Sequence, residues 1–170
     1  AQFVGRYWSD HMPEDWVAER LAIFRDIAVH GRSVLMRTIW RGFQHLTWIH
    51  HIAPQPDENS SDLFLTITRR AANDEEAEKL TPTDHEVIDS GVMRLGPLDT
   101  LSTRELEVLA LIGQGLSAKE AAKVLFRSES TVQGHCESIH KKLDIHNRVD
   151  LSDIARRAGL TVADAARTRV

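Results

Sequence analysis

Thiols are nearly absent: Cys136 is the only cysteine in 170 residues, which excludes an intrachain disulfide framework and fits a reducing compartment. No apolar run approaches the ~20 residues of a bilayer-crossing helix, so no membrane partner is expected. No basic segment followed by an apolar stretch opens the chain, so a secretory signal is not expected and a cytoplasmic location is. The first residue is Ala1 rather than Met, which sets a trimmed chain or a fragment as the expectation. A phosphate-cradling glycine loop, spaced metal ligands and a nucleophile motif are all missing, so neither an enzyme nor a cofactor is expected. The alternating strands and helices of a phosphorylatable receiver domain are missing too. What is present, 42% hydrophobic and 27% charged residues, suits one medium globular domain or two small ones.

Net charge is −4, which taken whole disfavours a nucleic-acid partner. The distribution says otherwise. Residues 1–73 are balanced, 101–160 and 161–170 each carry +1, and 74–100 carry −6. With Pro82, Gly91, Gly96 and Pro97, residues 74–100 read as an acidic linker, although 75–80 could extend a short helix and 83–88 a turn. The expected organisation is therefore a first part (1–73), the linker, a second domain (101–160) and a tail (161–170). If the linker acids compete for the basic residues of the second domain, deleting 74–90 should tighten binding of a polyanion at low salt.

In the first part, Trp16, Val17, Leu21, Phe24 and Ile27 recur at helical spacing over 14–30, and Gly31 supplies a stop. Three β-rich runs follow, at 33–40, 46–52 and 63–68. Gly42 marks a hairpin between the first two, and the loop 53–61 joins the third. Leu63, Leu65 and Ile67 share one face. His45, His50 and His51 raise a metal reading, but adjacent strand residues point to opposite faces, so surface or packed histidines are favoured. Trp8, Trp16, Trp40 and Trp48 read as core or interface residues rather than a cofactor cage.

The second part is a series of marked helices, near 102–113, 117–125, 129–143 and 147–158. Ser102 with Glu105 and Ser117 with Glu120 are capping boxes, and Ser128 and Asn147 are N-caps. The short connection around Arg127 makes the second and third a helix-turn-helix. On the third, Val132, Cys136, Ile139 and Leu143 form an inward stripe, which favours a buried, inert Cys136 thiol over a redox switch. Ser130, Gly134, Glu137 and Lys141 lie opposite, flanked by Gln133 and Ser138. Such a face could enter a major groove, where Gln pairs with adenine and Glu accepts from cytosine. Pattern alone leaves a solvated surface helix equally open.

Leu101, Ser102, Arg104–Glu105, Val108–Leu109, Gly115–Leu116, Lys119–Glu120, Ala122, Leu125, Ser128, Thr131–Val132, His135, Ile139, Lys142–Leu143 and Asn147–Arg148 stand at fixed spacing over about 50 residues. This pattern resembles the LuxR-type helix-turn-helix of bacterial transcription regulators. More softly, residues 10–70 resemble the back half of a PAS domain, a long helix and three strands, with no room upstream for the rest. The fold class expected is α+β: a partial PAS-like helix plus three-stranded antiparallel sheet, followed by an all-α four-helix LuxR-type domain.

The LuxR resemblance implies that the third helix reads DNA through Gln133, Gly134 and Glu137. Ser117, Lys119, Ser130, Thr131 and Lys141 would hold phosphates, Glu105 would tie the first helix to the third, and His135 would be structural. The fourth helix, with Val149, Leu151, Ile154 and Ala158, would be the dimerisation helix. Double-stranded DNA, a second copy of the chain, and RNA polymerase or an upstream sensor are the implied partners. Members commonly carry Lys where this chain has Gln133, and a basic or neutral residue at Glu137, which implies weak non-specific binding with shallow salt dependence. The competing class is a protein-interaction module in which the first part dominates.

Overall fold

The computed structural model describes residues 4–53, 62–72, 74–81 and 85–170. The expected loop at 54–61, Pro82 and the start of the expected turn at 83–84 lie outside the described residues.

The first helix, α1 (Glu14–His30), begins after Pro13 and ends at Gly31, whose φ of 63° closes it in the left-handed conformation. Strands β1 (Val34–Trp40) and β2 (Phe43–Ile52) form an antiparallel hairpin with Trp40 opposite Phe43. Its two-residue turn, Arg41–Gly42, has both φ angles positive, the geometry that matches strand twist. Strand β3 (Leu63–Arg70) pairs antiparallel with β2.

The sheet is not limited to the three antiparallel strands expected. Its order is β3-β2-β1-β4, and β4 (Glu86–Asp89) runs parallel to β1, with Leu35 beside Val87. Residues 74–100 are likewise more than a linker. They hold α2 (Asp74–Leu80), β4, β5 (Val92–Met93) and a 3-10 turn at Gly96–Thr100. The reason is apolar: Ala77, Val92, Met93, Leu95 and Leu98 are all buried, and few short segments stay extended with that much surface to hide. The acids of this segment pair with Arg32, Arg37, Arg69, Lys79 and Arg167. Deleting 74–90 would therefore remove a helix and a strand of the sheet along with the charge.

One sheet face packs on α1 through Val34, Met36, Ile49 and Ile27, with Phe24 stacked on Phe64. On the other, α2 covers Leu35 and Leu46 through Ala77 and Leu80. Leu63, Leu65 and Ile67 share this second face but lie beyond α2 and stay about half exposed.

The second half is helical: α3 (Thr103–Gly113), α4 (Ala118–Val124), α5 (Glu129–Leu143) and α6 (Arg148–Ala158). Ser102, Ser117, Ser128 and Asn147 cap them as the sequence predicts, each accepting a backbone N–H with its side chain. The last residues form a 3-10 turn (Val162–Ala166) and β6 (Thr168–Arg169), which pairs parallel with β5.

The halves share a core. Ile39 of β1, Met93 and Leu95 are buried in one cluster with Leu106, Leu109, Val132, Ile139 and Leu151. Around its edge, Arg37 of β1 reaches Asp164 at 2.9 Å, Asp89, and the carbonyl of Gly159. Arg167 joins Asp164 and Asp89 at 2.9 and 3.0 Å. Asp164 is fully buried. Two cations on one buried carboxylate make this a pairing in which loss of one partner strands the others.

Candidate nucleic-acid interface

The surface begins with how α5 is held. Val132 and Ile139 are fully buried, and Cys136 and Leu143 pack partly against the same core. Each fully buried aliphatic contributes about 2 kcal/mol of transfer free energy. Burial pushes the Cys136 thiol above its ordinary value, the Arg148 guanidinium opposing it, so the thiol is a poor nucleophile.

A polar brace sets the rotation of α5. Glu105, 4% exposed on α3, accepts from Ser138 Oγ at 2.6 Å, Lys142 Nζ at 2.7 Å and the Ser102 backbone N–H at 2.6 Å. Burial pushes this carboxyl up, but hydrogen bonds from Lys142, Ser138 and Ser102 outweigh it and hold it at about 2. Lys142 and Ser138 are thereby turned toward α3. The expected tie between the first and third helices is this carboxylate.

The opposite face of α5 is open. Glu129, Ser130, Thr131, Gln133, Gly134, Glu137 and Lys141 are exposed. Gln133 Nε2 donates to Glu129 Oε1 at 3.3 Å, so the amide is oriented but remains at the surface. A Cβ built on Gly134 would meet nothing within 4 Å. The absent side chain therefore serves no packing inside this chain; it lowers the helix surface where a second molecule can approach. At the amino end of α5, the hydroxyls of Ser130 and Thr131 lie 2.9 and 2.7 Å from Ser128 Oγ, a polar cluster at the positive end of the helix dipole.

Lys119 is exposed on α4. Ser117 is engaged as that helix's cap, its hydroxyl donating to Glu120 Oε2 at 2.6 Å and its own N–H at 2.8 Å. Phe126, in the turn between α4 and α5, has φ 53° and is 87% exposed; its apolar character drew no expectation from the sequence.

The expected dimerisation residues do not form one surface. Leu151 and Ala158 are buried against the core and are unavailable to a partner. A Cβ on Gly113 of α3 would come within 2.4 Å of the Ala155 Cβ, so α6 lies tightly on α3 along that side. Ile154 is half-buried facing a cleft with Phe43, Pro97 and Leu98. Val149, 67% exposed, is the member of the four left open.

Residues 99–155 match the family described as "Bacterial regulatory proteins, luxR family". This stretch, about a third of the chain, is similar to that family. It carries the whole of the open α5 face and the Glu105 brace. Over 53 residues the chain is 49% identical to the nitrate/nitrite response regulator protein homolog of Haemophilus influenzae, covering 31% of this chain and 26% of that protein. Over 62 residues it is 40% identical to the transcriptional regulatory protein LnrK of Bacillus subtilis, covering 36% and 28%. The chain thus spans about a quarter of the length of these curated relatives. It is also similar to Vibrio cholera VqmA in a complex with ligand and DNA, at 17% identity and TM-score 0.40, over 99% of this chain and 80% of that one.

Outside the luxR-type domain, the expected histidines are accounted for locally. His50 Nδ1 is 2.7 Å from Ser33 Oγ, and His51 Nε2 is 2.8 Å from Asp62. They point to opposite faces, beside Leu65 and Phe64. Burial lowers the His45 pKa, against a hydrogen bond to the Phe43 carbonyl. Among the described residues no helix is long and apolar enough to cross a membrane.

Proposed function

We propose that this protein is a sequence-specific DNA-binding transcriptional regulator that acts as a dimer, with its amino-terminal part, residues 1–73, serving signal input or dimerisation. The observation that carries this reading is the open face of α5. It is an exposed polar strip with a glycine at its centre, held at a fixed rotation by the buried Glu105 inside the stretch similar to the luxR family.

Gln133 and Glu137 read base edges, and Gly134 lets the backbone close on the groove. Lys119, Lys141 and the hydroxyls of Ser130 and Thr131 hold phosphates, with the α5 amino terminus behind them. Ser117 contributes through the helix it caps. Two copies related by a two-fold axis would present two such helices to a palindromic site, with Val149 on the contact surface. RNA polymerase or an upstream sensor is the further partner. The chain acts in the cytoplasm, by binding rather than by catalysis.

The test is selection of bound sequences from a random duplex pool by the full chain at low salt, with size measurement of the complex. Recovery of a palindromic consensus by a dimer supports the reading. No retained DNA at any salt overturns it.

A further inference from the structure

The cleft that Ile154 faces has a volume of about 260 Å³ and lies where the β1–β2 turn meets the 3-10 turn at Gly96–Thr100, α5 and α6. Its floor is apolar. Leu98 is 1% exposed, and Phe43, Leu143 and Ile154 are half-buried around it. Arg41 and Arg157 also line it, and both are exposed. A third guanidinium, that of Arg70 on β3, lies over the Phe43 ring at 4.6 Å from its centroid.

The charge of these three arginines is not spent elsewhere. Among the described residues none of them has a carboxylate partner. Arg157 reaches only the Asp153 carbonyl, at 3.4 Å, because the Asp153 carboxylate is taken by Arg156. Other arginines of the sheet and its flank are neutralised: Arg37 and Arg167 share Asp89 and Asp164, and Arg69 pairs with Glu76. Asp99 and Asp144 follow Leu98 and Leu143 in the chain, but neither lines the cleft. Uncompensated positive charge thus surrounds an apolar floor.

The backbone at Arg41 adds a second observation. Arg41 is the first central residue of the hairpin turn, with φ 53°, a position that favours Asn, Asp or Gly because a Cβ crowds the following carbonyl there. The turn is clamped in place. Gly42 N donates to the Arg94 carbonyl at 3.4 Å, a Cβ on Gly42 would lie 3.1 Å from the Leu95 carbonyl oxygen, and one on Gly96 would lie 3.1 Å from the Arg41 carbonyl carbon. An arginine held in a conformation it disfavours, with no partner for its side chain, points to a role outside the turn.

We propose that this cleft binds an amphipathic organic anion, a carboxylate whose apolar body is about eight carbons long. At about 30 Å³ per water, the cleft volume matches about nine water-sized groups, the size of such a chain. The head sits between Arg41 and Arg157, whose planar forks each match a carboxylate with two parallel N–H donors. The body covers Phe43, Leu98, Leu143 and Ile154. The floor separates this ligand from a nucleic-acid backbone, whose phosphates would meet the arginines and leave the apolar side chains uncovered.

The experiment titrates the full chain with sodium octanoate, followed by calorimetry and amide NMR, in parallel with 1-octanol, octylammonium and acetate. Octanoate should bind saturably with Kd below about 1 mM and shift the amides of Gly42, Phe43 and Ile154. The other three should each bind at least about tenfold more weakly, since neither the head nor the body suffices alone. Arg41→Asn installs a residue the turn prefers, so Tm should hold or rise while octanoate affinity falls about tenfold. Arg157→Gln should show the same fall. Arg25→Gln removes an equal charge from α1, outside the cleft, and should leave affinity within about twofold.

No octanoate binding below about 1 mM, or equal affinity for 1-octanol, overturns the proposal. So does an equal fall in Arg25→Gln, which would reduce the effect to net charge. Displacement of bound octanoate by a non-specific duplex would assign the arginines to phosphates. Octanoate affinity that falls as chain concentration rises would assign the floor to a second copy. Either result also overturns it.

Discussion

Replacing Glu105 by Gln tests the brace that orients α5. The carboxyl is held at about 2 against an ordinary 4.5, because burial is outweighed by hydrogen bonds from Lys142, Ser138 and Ser102. A depressed pKa in the folded state stabilises it fully above the unfolded value, and that contribution disappears as pH falls toward the folded value. The shift corresponds to about 3 kcal/mol at pH 7, falling to about 1 kcal/mol at pH 3. Lys142 is 39% exposed on its side chain, so solvent screening brings the neutral-pH figure nearer 2 kcal/mol.

Urea unfolding of the wild type and Glu105→Gln at pH 7, 5 and 3 reads this directly. The difference between the two should be about 2 kcal/mol at pH 7 and shrink below about 1 kcal/mol at pH 3. DNA retention should fall with it, since Ser138 and Lys142 no longer fix the rotation of α5. A difference independent of pH, or below about 0.5 kcal/mol at pH 7, would refute the assignment of the brace to the ionised carboxylate.

Gly134→Ala separates packing from recognition. With nothing within 4 Å of the new Cβ, thermal stability should rise by about 0.5–1 kcal/mol through helix propensity, while DNA retention falls; unchanged retention would remove Gly134 from the interface. Asp164→Asn leaves Arg37 and Arg167 sharing a neutral amide where a fully buried carboxylate stood. A loss of about 3 kcal/mol is expected in chemical denaturation, and a loss under about 1 kcal/mol would show that the network is not what joins the sheet to the helices. With Lys142 committed to Glu105, Lys119 and Lys141 are the exposed lysines assigned to phosphates, so a dimer should show a slope of log K against log salt near about −4. A slope steeper than about −6 would sink that assignment. In the same titrations Gln133→Ala should relax base preference; an equal fall on every sequence would make Gln133 a phosphate or structural residue instead.

The helical half was legible because its signals are local. Capping pairs such as Ser102–Glu105 and Ser117–Glu120 satisfy backbone N–H groups within one turn, and the Val132–Ile139 stripe needs only the period of a helix. The hairpin at Gly42 belongs to the same class, since two consecutive left-handed residues are a local demand. The residues proposed to touch DNA were readable for the same reason, as the face opposite that stripe.

The fourth strand was not readable. Residues 86–89 are Glu, Val, Ile and Asp, and a parallel partnership with β1 is decided by what lies about 50 residues away, not by alternation within four. The packing of the fourth helix within the chain was not readable either. The resemblance implied Leu151 and Ala158 as dimerisation residues, and it is the tertiary structure that buries both against the core of their own chain.

Charge shows the division most clearly. The sequence by itself determined that the acid is concentrated in 74–100 and that the helix proposed to enter the groove has little net positive charge. Only the tertiary structure decided what those charges do. Asp89 is spent on Arg37 and Arg167, and Lys142 on Glu105. Composition counts ionisable groups, whereas pairing depends on distances between side chains that the fold brings together from opposite ends of the chain.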